Sequence, residues 1–67
     1  MPYIADTQQL ATATELLRLH GPAAAHAAAA EADLRRDRGN ALGFCRWRQI
    51  ERLVMLLSAD RASGTLH

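Results

Sequence analysis

The hydrophobic and polar positions divide the chain into three amphipathic stretches separated by glycine. The clearest begins at Ala41, where Gly43, Trp47, Ile50, Val54 and Leu57 recur at alternating steps of four and three. That is the spacing of one face of a helix. Leu53 flanks the stripe, but Met55 and Leu56 fall on other faces, so the last turns before Ser58 are apolar nearly all round. A helix on the surface of a monomer keeps a polar back, and this pattern predicts a second contact there.

The first stretch carries Leu10, Ala13, Leu17 and His20 at helical spacing, with Leu16 widening the stripe. Asp6 is a good N-cap and Gln9 three residues later completes a capping-box pattern, so a helix is predicted over about 7–19. His20-Gly21-Pro22 ends it, since glycine takes the left-handed position and proline cannot continue the ladder. Pro22 also suits the first position of the next helix. From there to Arg38 the chain is alanine-rich, the composition of highest intrinsic helicity. Glu31 and Arg35 stand four apart in the favourable order, and Ala23, Ala27, Ala30 and Leu34 form a stripe of small residues that a neighbouring helix can approach closely. Gly39 is the stop and Asn40 the cap of the third helix.

These elements predict an all-α fold in one domain spanning residues 1–67. An antiparallel helical hairpin, about 22–38 and 41–58, is joined by Gly39-Asn40 and preceded by a short helix, with 60–67 expected as a flexible tail. Composition sharpens this in one respect. Hydrophobic residues make up 49% of the 67, but many are alanine, which removes little area from water. A chain of this length buries only about 60% of the surface its unfolded form exposes. Dimerisation completing a bundle is therefore the expectation.

The single cysteine, Cys45, excludes an intrachain disulfide framework and fits a reducing cytoplasm. Met1 to Leu10 has neither the basic start nor the long apolar stretch of a secretory signal. Leu53 to Leu57, the longest run of large apolar residues, is far too short to span a bilayer. Net charge is +1, which selects no partner class, and all eight basic residues are arginine. With the alanine excess, that composition suggests a GC-rich bacterial genome.

No constellation asks for chemistry. His20, His26 and Cys45 are the soft metal ligands, and their spacing matches no zinc pattern. They are expected as a last-turn histidine, a surface histidine and a packed thiol, with no metal or cofactor bound. Cys45 has no histidine base or orienting acid near it in sequence, and no enzyme activity is expected. From Leu34 to Arg52 six arginines face Asp37 and Glu51, a local charge of +4. Arg35, Arg36, Arg38 and Arg46 are the candidate contacts to an anionic partner, and Trp47 between Arg46 and Arg48 could stack a base. The ordinary reading puts Trp47 in the core and the arginines in solvent. The interface expected first is Leu53, Met55, Leu56 and Leu57, rimmed by Arg48 and Arg52.

The run Gly39-Asn40-Ala41-Leu42-Gly43-Phe44-Cys45-Arg46-Trp47-Arg48-Gln49-Ile50 resembles the G-[DN]-x-x-G-x-x-x-W-x-x-I pattern of small bacterial helical-hairpin proteins. The resemblance covers about residues 14–58; it implies an alanine-rich helix, a tight turn and a Trp-bearing helix, and no activity. The turn is also distantly similar to a tetratricopeptide unit, but such repeats need about three copies for stability and one is present. The function expected is a non-enzymatic protein–protein interaction module, accessory or regulatory, working as a homo-oligomer or docked on a larger protein. The alternative is a small nucleic-acid-binding module using the arginines of residues 35–52. No membrane association is expected.

Overall fold

The computed structural model describes the backbone of residues 2–65 and the side chains of residues 7–59. The described chain is all-helical: α1 (Pro2–His20), a single 3-10 turn (Gly21–Ala23), α2 (Ala24–Asp37) and α3 (Ala41–Thr65). None of these helices is long and apolar enough to cross a membrane.

Turn chemistry accounts for the elements. Gly21 (φ 55) and Gly39 (φ 74) are the two residues with left-handed backbone among those described. At the end of α2, Asn40 N–H donates to the Arg35 carbonyl at 2.8 Å and Gly39 N–H to that of Arg36 at 3.0 Å. This is the Schellman closure that a left-handed glycine permits. The next helix then starts at once: Asn40 Oδ1 accepts the Gly43 N–H at 2.9 Å, satisfying one of the open donors of the first turn of α3. Asn40 thus closes one helix with its backbone and opens the next with its side chain.

Three expectations about the elements are corrected. α1 begins at Pro2 rather than near residue 7, because nothing in Tyr3-Ile4-Ala5 breaks a helix and proline is well placed at its head. Asp6 is therefore inside the helix and is not its cap. Pro22 sits in the 3-10 turn, and α2 starts at Ala24 with Ala23 at its N-cap. α3 runs on to Thr65, past the end expected near Ser58, since no proline follows Ser58 and glycine first occurs at Gly64. Most of the separate tail expected at 60–67 thus has helical backbone, and residues 66–67 lie outside the described residues.

α2 and α3 pack in opposite directions. Near the turn the Arg36 guanidinium lies 6.0 Å from the centre of the Phe44 ring and that of Arg35 lies 5.7 Å from the Trp47 ring. At the far end Pro22 and Ser58 border one groove. Between them Ala24 and Ala28 are fully buried in one cluster with Ile50 and Val54. α1 contributes Ala13 and Leu17 to this core and meets α3 more extensively than α2. Leu16, Trp47, Leu53 and Leu57 pack around it, half-buried.

The small-residue stripe of α2 is one position away from the expected one. Ala24, Ala28 and Ala32 are buried, whereas Ala23, Ala30 and Leu34 are exposed. Arg35, which lies over Trp47 near the turn, is on the same face: stepping back from 35 by three and then by fours gives 32, 28 and 24. On α1 the buried line is Gln9, Ala13 and Leu17, and Leu10 and His20 face solvent. Gln9 is the one buried polar residue among those described.

Candidate interaction surface on α3

At 100° per residue, the core side of α3 is centred on Gly43, Ile50, Val54 and Leu57. The opposite side carries Leu42, Cys45, Gln49, Arg52 and Leu56 in one stripe, and all five are exposed. Leu42 is 83% exposed and Leu56 67%. Arg48 and Met55 border the stripe on one flank, Met55 being 55% exposed, and Arg46 borders it on the other, above α1. Two shallow grooves run along it. One, between α1 and α3, is lined by Gln9, Gln49, Arg52, Leu53 and Leu56; the other by Phe44, Cys45, Arg48, Gln49 and Arg52.

The residues singled out in the sequence separate here into two groups. Leu53 and Leu57 touch the core, while Met55, Leu56, Arg48 and Arg52 are exposed. Leu42 and Gln49 share the outward stripe, and sequence reasoning passed over them because Leu42 precedes the apolar run. The signal was present: Leu42, Gln49 and Leu56 are spaced by sevens. Cys45 is exposed rather than packed, because it lies half a turn away from the core line.

The arginines also divide. Arg35 is half-buried, bonded to Glu31 at 2.8 Å and held over Trp47. Arg36 lies over Phe44 and pairs with Asp33 at 3.5 Å and Asp37 at 4.0 Å. Arg48 reaches Glu51 at 3.4 Å. Arg38, Arg46 and Arg52 have no carboxylate partner among the described residues. On α1, Glu15 and Arg18 form an exposed ion pair. Its hydrogen bond holds the Glu15 carboxyl below the usual carboxylate value and the Arg18 guanidinium above its own.

His20 and His26 are both exposed, and among the described residues no three His, Cys, Asp or Glu side chains gather where one ion could be held. No family model, curated protein or solved structure matches the chain.

Proposed function

We propose that this chain is a non-enzymatic, cytoplasmic interaction module, accessory or regulatory, that works by pairing with itself or docking on a larger protein through α3. The observation that carries this reading is surface that the fold leaves uncovered. On α3, Leu42 is 83%, Leu56 67% and Met55 55% exposed. Leu42, Met55 and Leu56 lie on the outer half of α3, where burial would gain most.

The reading that gives the arginine cluster to nucleic acid has less behind it. Arg35 and Arg36 are already engaged with carboxylates and rings, which leaves scattered rather than massed positive charge. Size-exclusion chromatography with light scattering over a wide concentration range tests self-association, and Leu56→Glu is expected to abolish it. A stable monomer at every concentration would remove the homo-oligomer half of the proposal.

A further inference from the structure

The outward stripe of α3 combines two properties that bear on what covers it. Its ends are exposed leucines, Leu42 and Leu56, about 21 Å apart along the helix. Beside and between them stand Arg46 and Arg52, neither with a carboxylate partner among the described residues. Glu51, the acidic residue of α3 whose side chain is described, is turned toward the core side and bonded to Arg48. Among the described residues the face is therefore apolar and cationic with no anion of its own.

That charge pattern discriminates between occupants. If two copies paired α3 to α3 in antiparallel fashion about Gln49, Leu42 would meet Leu56, but the second copy would bring the same arginines and, among the described residues, no carboxylate to meet Arg46 and Arg52. Parallel pairing would bring no carboxylate either. Either arrangement gathers guanidinium groups along one interface with no carboxylate to offset them, and such like-charge juxtaposition disfavours pairing. Resting on the interaction-module reading, we propose that the occupant is an acidic amphipathic helix of another protein, its apolar side chains seated between Leu42 and Leu56 and its carboxylates on Arg46 and Arg52. An amphipathic helix docks by laying its apolar face along such a surface, and Leu42, Cys45 and Leu56 are the exposed apolar positions of this stripe. Arg46 and Arg52 sit at the edges of this stripe, where a partner helix places its flanking residues.

The test uses two synthetic helical peptides of about 18 residues. Both carry leucine at steps of three and four; one is flanked by glutamate, its twin by lysine. Each is titrated into the isotopically labelled full chain and followed by amide chemical shifts. The glutamate peptide is expected to bind at least about tenfold tighter than the twin at low salt. The preference should fade at about 0.5 M salt, and the shifts should fall on Leu42 to Leu56. The variant R46E/R52E should reverse the preference, and Leu56→Ser should weaken both peptides about tenfold; all these positions are exposed, and circular dichroism verifies the fold. Equal affinity for the two peptides, preference for lysine, or a preference unchanged in R46E/R52E overturns the proposal. A homodimer that occupies α3 overturns it while sustaining the interaction-module reading. Binding of anionic vesicles or DNA to these residues without peptide binding overturns it as well. A strict monomer that binds neither peptide removes both the proposal and the reading beneath it.

Discussion

The junction between α2 and α3 makes a quantitative prediction, because one side chain there serves as cap and as obstruction. A Cβ placed on Gly43 would lie 2.5 Å from Asn40 Nδ2, 2.8 Å from its Cγ and 3.1 Å from Arg35 Cδ. The first two contacts are closer than real Cβ atoms approach, and the Asn40 amide is pinned by the hydrogen bond it accepts from Gly43 N–H. Alanine at Gly43 must therefore expel the cap. Its gain in helix propensity is at most about 1 kcal/mol, against about 1 kcal/mol for the lost cap. The Arg35 stem must also shift, which loosens its hold on Glu31 and Trp47. Gly43→Ala alone should thus cost from a few tenths to about 1 kcal/mol, although it puts a better helix former in a helix.

Asn40→Ala alone should cost about 1 kcal/mol. In that background the Asn40 obstruction is gone and Gly43→Ala recovers its propensity gain, with only the Arg35 contact still to relax, so the double variant should cost no more than about 1 kcal/mol relative to the parent. The coupling between the two sites is then about 1 kcal/mol, well outside the roughly 0.3–0.5 kcal/mol of independent sites. Thermal and urea unfolding followed by circular dichroism reads it, since 1 kcal/mol shifts Tm by about 4–8 °C in a domain of this size. All four proteins must be compared at one concentration, because self-association would make stability depend on it. Additive effects, or a Gly43→Ala variant that is itself more stable, would refute the double role of Asn40.

Other expectations follow from single features. Gly39→Ala should cost about 1–2 kcal/mol from backbone strain alone, because its φ of 74° is left-handed and no atom lies within 4 Å of the added carbon; denaturant midpoints measure this. Ala28→Leu, at a fully buried position against Ile50 and Val54, should destabilise by about 1–3 kcal/mol through overpacking, whereas Leu34→Ala on the outer side of α2 should stay within about 0.5 kcal/mol. The Glu15 carboxyl should titrate below an ordinary glutamate by NMR, shifted by the Arg18 hydrogen bond. Since its folded value is depressed, its contribution is present above the unfolded pKa and is lost as pH falls through the folded one, and Arg18→Gln should return it to the usual value. Cys45, being exposed, should react with a maleimide in the folded chain about as fast as in urea; strong protection would mean that α3 is already covered.

How far the sequence could be read depended on whether a residue's role was local. Gly39, Asn40 and the Glu31–Arg35 pair act within one turn of the chain, and the hydrogen bonds at 2.8–2.9 Å follow from their spacing. Trp47, Ile50 and Val54 were legible because large apolar residues mark a face by themselves. The buried face of α2 was not legible, since in Ala23 to Ala30 nearly every rotation presents alanine and the pattern is degenerate. Ala24, Ala28 and Ala32 share a face with Arg35, which lies over Trp47, so the buried side shows only in contacts between helices. Gln9 was misread for the same reason: the rule for a cap is local, but its burial depends on where α1 lies on α3. On the candidate surface, Leu56 and Arg52 were found from the excess of apolar residues, and Leu42 was missed because it is isolated in sequence and joins them only through the period of seven.

The alanine core and the exposed stripe have one origin. Alanine on α2 lets α3 approach closely, yet each buried alanine removes little apolar area from water. Val54 is accordingly the largest side chain with less than 2% exposure, and Ile50 and Leu17 are the other large members of the core. A third helix wide enough to enclose α3 would need large side chains on both α1 and α2, and α1 turns Leu10 and Leu19 outward instead. The leucines that could have enlarged the core thus stand on its outside, and on α3 they stand beside arginines that nothing in the described chain neutralises. A monomer selected only for stability gains nothing from that placement. It is favourable once a surface of complementary shape and opposite charge removes Leu42 and Leu56 from water and gives Arg46 and Arg52 their carboxylates.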